Sequence, residues 1–236
     1  MDGEAMTTHI SDSGHTWQGV RRMSAADARS AILAAATRLF VHRGYRNVTV
    51  GDIAREAGTA LPAVYAGAGG KAAILTTLID EGSHDPIVEW TLDAVRACGD
   101  PGEVITLLVH GIRVDNERYE DLVRVMITAA ALEDTARQTL DRSDQYYRQS
   151  LGVAAARLAD LTALRPGLTA ERATDILWFY LGHHSWRLCV SDQGWAWEEA
   201  ERWLAEQVRA AVLGTAPGRA KGTAAGAGPG TLPCRA

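Results

Sequence analysis

The chain has 236 residues, 47% hydrophobic and 22% charged, with a formal net charge of −5. This is the balance of an ordinary globular protein with enough apolar material for a sizeable core, and it excludes a fibrous or low-complexity chain. No apolar run approaches the roughly 18 residues that cross a bilayer, and Asp27 and Arg29 interrupt any export signal opened by Arg21 and Arg22.

Cys98, Cys189 and Cys234 are scattered and odd in number. They suit neither a disulfide framework nor a zinc spacing, so a cytoplasmic protein with no metal and no cofactor is expected. The charge is unevenly spread. Residues 21–75 hold eight Lys/Arg against three Asp/Glu, a net of +5, which leaves −10 for the rest. A basic segment on an acidic body is the asymmetry expected when only that segment meets phosphate, although a solvated surface produces the same count.

In chain order, residues 1–22 are polar and aperiodic and read as a disordered arm, with Met6 and Met23 as alternative starts. Ser24 and Asp27 have capping-box spacing, followed by the helical stripe Ile32, Ala35, Ala36, Leu39, Phe40 and a stop at Gly44. Thr49 and Asp52 repeat the cap and open a helix to Ala57, which Gly58 ends. A short segment from Ala60 to about Ala66 follows, then Gly67, Gly69 and Gly70, then a helix from Lys71 to about Glu81. Asp85-Pro86 and Asp100-Pro101-Gly102-Glu103 are further helix starts. Residues 119–164 read as helical with a break. Pro166-Gly167 precedes a helix opened by Thr169, and a last helix spans Trp197 to Leu213. In residues 214–236, 15 of 23 are Gly, Ala or Pro, a composition with little to bury, so a disordered tail is expected. No stretch alternates as a strand does. The fold class is therefore all-α, with a DNA-binding unit over 23–70 and a regulatory and dimerisation unit over 71–213.

The short helices around Gly58 cannot stand alone and must pack on the helix of residues 25–43. Such a three-helix unit is how a helix-turn-helix reads in sequence, its third helix entering the major groove; a plain helical hairpin has the same spacing. The residues themselves go further. Ala35, Ala36, Thr37, Arg38, Leu39, Phe40, Arg43, Gly44, Tyr45, Val48, Thr49, Val50, Asp52, Ile53, Ala54, Ala57 and Gly58 stand as in the TetR family of bacterial repressors. Val64, Tyr65, Gly69, Gly70, Lys71, Ile74 and Leu75 continue the likeness without a gap over 27–80. Leu188 to Leu204, with Gly194-Trp195 and Trp203-Leu204, resembles the closing part of some actinobacterial members.

The resemblance implies a DNA surface made of Tyr45, Arg46, Thr49, Ala60, Leu61, Pro62, Ala63, Tyr65 and Lys71. Thr49 would cap helix two beside a phosphate, and Tyr65 would donate its phenol to another. Lys71 would add a cation, and Tyr45 and Arg46 would touch the backbone. The family's usual Ser at 60, Thr at 63 and aromatic pair after Tyr65 are here Ala60, Ala63 and Gly67-Ala68. Base reading would then rest on thymine methyls, with DNA shape or Arg21 and Arg22 in a minor groove supplying the rest.

Two other patterns fail. Gly67-Ala68-Gly69-Gly70-Lys71 has Tyr65 and Ala72 where a phosphate-binding loop needs Gly and Ser or Thr. His183-His184 has no usual zinc ligand at helical spacing. Five of seven Trp lie between 178 and 203, and the segment from Ile176 to Leu188 is apolar nearly all round. A helix like that is covered on every side, by core and by a partner subunit or by one well-filled core alone. The expected dimer face is Leu177, Leu181, His184, Leu188, Leu204 and Val208, as the family's paired last helices imply. Isolated polar groups in apolar settings place a mostly hydrophobic small effector near Trp90, His110, Met126, Tyr146, Phe179 and His183. The expected function is a homodimeric, ligand-responsive repressor of transcription on a near-palindromic double-stranded operator. The alternatives are an activator, a ligand-independent repressor, or a helical interaction module with a silent DNA head; no membrane partner and no enzymatic activity are expected.

Overall fold

The computed structural model describes residues 24–214, which hold ten α-helices. The expected arm and most of the expected tail, with Arg21, Arg22 and Cys234, fall outside these residues. Helix α1 (Ala25–Arg43) opens on a complete capping box, in which the Ser24 hydroxyl accepts from the Asp27 amide and the Asp27 carboxylate accepts from the Ser24 backbone. Gly44, at φ 77°, ends it in a conformation that costs other residues more. Thr49 and Asp52 form the same box at the head of α2 (Val50–Glu56), after a 3₁₀ turn at Tyr45–Asn47. Gly58, at φ 64°, turns the chain into α3 (Leu61–Ala68), and α4 (Lys71–Ser83) follows almost at once.

Asp85 caps α5 (Pro86–Ala97) and Asp100 caps α6 (Pro101–Ala130), each with Pro in the first turn. Helix α6 is thirty residues long and passes through Tyr119 without a break. Its Gly111 marks a close approach. A Cβ there would lie 2.1 Å from the Thr91 hydroxyl of α5, so any side chain would push the two helices apart. The expected break falls at Ala131–Glu133, before α7 (Asp134–Asp160). Thr169 caps α8 (Ala170–Leu181).

The apolar segment after it is not one helix. Gly182 leaves helical geometry at ψ 161°, where a Cβ would meet the Trp178 carbonyl at 2.7 Å. The short α9 (His183–Arg187) and a π-helical turn at Leu188–Asp192 complete the bend. The bend turns Trp186 inward onto Trp197, with its indole N–H donating to the Leu181 carbonyl at 3.1 Å. Helix α10 (Trp197–Val212) closes the fold.

Two hydrophobic cores share α6. Its C-terminal half, through Leu122, Val125, Met126 and Ala129, packs with α1–α4 and Ala136. Its N-terminal half, through Val104, Ile105, Leu108, Val109 and Ile112, packs with α5, the later part of α7, α8 and α10. The unit over 23–70 therefore does not close its own core. Helix α4 and one end of α6 complete it.

Candidate nucleic-acid interface and internal cavity

Helices α2 and α3 bury Ile53, Ala54, Val64 and Ala68 against α1. This leaves Ala60, Leu61, Pro62, Ala63, Tyr65 and Ala66 on the outer side of α3. That side exposes 43% of Leu61 and 55% of Tyr65, and carries no charged group. Arg29 of α1 donates to the Gly67 carbonyl at 3.0 Å and fixes the end of the helix. Arg46 and Thr49 are exposed beside it. Part of the local positive charge is spent internally, in ion pairs of Arg38 with Glu56 and Arg55 with Asp52.

Two residues expected at DNA lie elsewhere. Tyr45 is 1% exposed and buried in the first core, because its ring packs against Phe40 and its hydroxyl donates to Glu133 at 2.9 Å. Burial, with the Glu133 charge behind it, pushes the phenol well above its ordinary range. Lys71 is half-buried, its ammonium donating to the Tyr45 carbonyl at 3.0 Å and lying 4.1 Å from the Tyr45 ring centroid. The lysine ties the 3₁₀ turn to α4 with one of its three N–H donors.

Between the two cores lies a cavity of about 90 Å³. At roughly 10–15 Å³ per water, that is space for a small organic molecule. The ends of α4 (Ile79, Gly82, Ser83) and α5 (Val88, Thr91, Leu92) form one side, and α7 contributes Ser143, Tyr146, Tyr147, Ser150 and Leu151. From α6 comes a single stripe, Leu108, Ile112, Asp115, Tyr119, Leu122 and Met126, at alternating spacings of four and three.

One wall is a hydrogen-bonded chain. The Tyr147 hydroxyl donates to the Leu181 carbonyl at 2.5 Å and accepts from the Asn116 amide at 3.3 Å. The Asn116 carbonyl oxygen lies 3.0 Å from His183 Nδ1. Since that oxygen only accepts, the network assigns the histidine proton to Nδ1 and leaves Nε2 as an acceptor. Burial, helped by the neighbouring His184, pushes His183 down to about 4, so the ring is neutral at pH 7.

Met126, Tyr146 and His183 line this cavity, and the other three expected effector residues do not. Trp90 is 68% exposed on α5, Phe179 is 65% exposed on α8, and His110 faces outward to pair with Glu201 at 3.0 Å. An apolar stripe shows which residues belong to one helix face but not which face the neighbours cover. Among the expected dimer residues, Leu177, Leu181, Leu204 and Val208 lie inside the protomer's own second core, whereas His184 and Leu188 are exposed. The sequence reading missed Asp115, Asn116 and Tyr147. A signal for Asp115 was present, since it is the one carboxylate in an otherwise uncharged stripe.

The three-helix unit agrees with a comparison by sequence. Residues 32–78 match the model described as bacterial regulatory proteins, tetR family. The match runs from Ile32 in α1 through most of α4, so it is the N-terminal unit that is similar to this family. No curated protein matches it by sequence.

Solved structures resemble this chain over most of its length. A transcriptional regulator from Saccharomonospora viridis in complex with choline is 18% identical at a TM-score of 0.65, covering 80% of this chain and 100% of the other. A SmeT–triclosan complex is 20% identical at 0.65, covering 87% and 99%. NalD, described as the secondary repressor of the MexAB-OprM multidrug efflux pump in Pseudomonas aeruginosa, is 21% identical at 0.63, covering 80% and 98%. At these identities the likeness is one of fold. Among the described residues no helix is long and apolar enough to cross a membrane.

Proposed function

We propose that the chain is a homodimeric transcriptional repressor that binds a near-palindromic operator and is released from it by a small effector in the cavity between α4 and α7. The observation that carries this reading is the placement of α4. Its first residue, Lys71, holds the turn leading into α2, and its last turn supplies Ile79, Gly82 and Ser83 to the cavity wall. A molecule seated there bears on the helix joined directly to α3. Two of the solved relatives are complexes with small molecules, which supports an effector site without naming the effector.

The contacts proposed with DNA come from the exposed side of α3, Ala60, Leu61, Pro62, Ala63 and Tyr65, with Arg46 and Thr49 at the backbone. A twofold dimer presents two such helices and so favours a palindrome. The test is selection of genomic fragments by the purified protein, followed by release with compounds that bind the cavity. Full sites should bind more tightly than half-sites, and an effector should weaken binding about 5- to 150-fold at ordinary coupling energies. A ligand that fills the cavity and leaves operator affinity unchanged overturns the effector role. Failure to enrich any fragment overturns the regulator and leaves a protein-interaction module.

A further inference from the structure

One carboxyl group lines the cavity, that of Asp115, and no described residue forms an ion pair with it. Asp115 stands in the wall between Ile112 and Tyr119. Its Oδ1 is shielded from solvent and has no hydrogen-bond partner among the described residues. Arg118, whose charge reaches Asp115, is half exposed and donates instead to Asp85 at 2.7 Å. The Tyr119 hydroxyl goes to the same Asp85 oxygen at 2.8 Å, which leaves that carboxylate fully engaged. No Lys or Arg lines the cavity, and His183 across it is neutral. A carboxylate placed in an apolar setting is costly unless it is paired or protonated, and this one is not paired.

We propose that the effector is an organic cation, a quaternary or protonated amine with an apolar body, whose charge is balanced by Asp115. The inference rests on the effector reading above. The rest of the wall suits such a ligand. Tyr119, Tyr146 and Tyr147 bring aromatic rings to the same cavity, and aromatic rings attract cations while accepting apolar groups.

The groups around Asp115 also set how binding depends on pH. They are Asp85 at the head of α5, Glu89 behind Tyr146, Arg118 and Tyr119 on α6, Asp144, Tyr146 and Tyr147 on α7, and His183 on α9. Burial first, then the charge of Asp85, raise the Asp115 carboxyl to about 7, with Arg118 opposing. A cation requires the ionised carboxylate, so its affinity should fall about tenfold between pH 8 and pH 6.

The decisive probes are phenyltrimethylammonium and its uncharged isostere tert-butylbenzene, titrated by calorimetry into the full chain. The cation should bind wild-type protein at least tenfold more tightly at pH 8. In Asp115→Asn that preference should vanish, while the neutral probe keeps its affinity and so reports an intact cavity. Retained preference for the cation in Asp115→Asn overturns the proposal. So does affinity that rises as the pH falls, because Asp115 would then act as a protonated donor to a neutral ligand. If tert-butylbenzene binds and releases operator while the cation does not bind, the cation falls and the effector reading stands. If neither probe binds, the cation falls as well, and operator release by other cavity ligands decides the effector reading.

Discussion

At the scale of single residues, Asp115 and His183 face one cavity and are perturbed in opposite senses. His183 is pushed from 6.5 down to about 4, so the folded state prefers the neutral ring. The stability it contributes is fully present above pH 6.5 and is lost as the pH falls toward 4. Asp115 is raised from 3.8 to about 7, so the folded state prefers the protonated acid. That contribution is present below pH 3.8 and is lost as the pH rises through 7. At about 1.4 kcal/mol per pKa unit, each effect is at most about 3–5 kcal/mol, and over pH 4–6.5 the two oppose each other. Urea unfolding across this range should show His183→Gln becoming more stable relative to wild type as the pH falls. Asp115→Asn should become more stable relative to wild type as the pH rises. Differences that stay flat with pH would mean that neither group is held as the structure has it.

At the scale of elements, Tyr45 adds a polar link between the N-terminal unit and the helical body, beside the core that α1–α4 share with α6. Tyr45 belongs to the turn before α2, its hydroxyl reaches Glu133 at the head of α7, and Lys71 of α4 sits over its ring. Removing the hydroxyl in Tyr45→Phe leaves the ring packed on Phe40. The expected loss is about 0.5–1.5 kcal/mol of stability, the net worth of one hydrogen bond. Operator affinity should stay within about twofold, because the phenol is not at the DNA surface. Tyr65→Phe, on the exposed side of α3, should instead weaken binding to all DNA sequences alike. Thermal melts and gel-shift titrations separate the two. A Tyr45→Phe protein that melts as wild type but binds DNA poorly would return Tyr45 to the phosphate backbone.

At the scale of the whole molecule, the proposed dimer would cover apolar surface that the protomer leaves exposed. Phe179, Leu188 and Trp203 expose 65%, 51% and 41% of their surface near the bend between α8 and α10. Leu177, Leu181, Leu204 and Val208 are 1% exposed or less. Leu188→Asp should therefore give a folded monomer, while Leu181→Asp should unfold the protomer, since an unpaired buried charge costs several kcal/mol. Size-exclusion chromatography with far-UV circular dichroism distinguishes the outcomes. A dimeric Leu188→Asp protein would put the interface on another face.

The sequence by itself determined most helix starts and the resemblance carried by the N-terminal unit. Caps, glycine stops and prolines act within a few residues, so Ser24, Thr49, Asp85, Asp100 and Thr169 mark helix starts that the fold keeps. The motif over α1–α4 is legible for the same reason, since its packing residues lie close together in the chain. What the tertiary structure decided is which helix faces meet. The sequence reading continued the helix from Ile176 to Leu188 through Gly182, yet the chain bends there, because that glycine sits against the Trp178 carbonyl. The bend sends Leu181 inward and leaves Leu188 outside. Tyr45 carries the family pattern, but its hydroxyl is taken by Glu133, 88 residues away. The cavity-lining stripe on α6 repeats regularly, but only the approach of α4, α5 and α7 forms the cavity and leaves Asp115 without a partner among the described residues. Local hydrogen bonds and steric limits are written in neighbouring residues, whereas burial and charge compensation depend on groups that folding brings together from far along the chain.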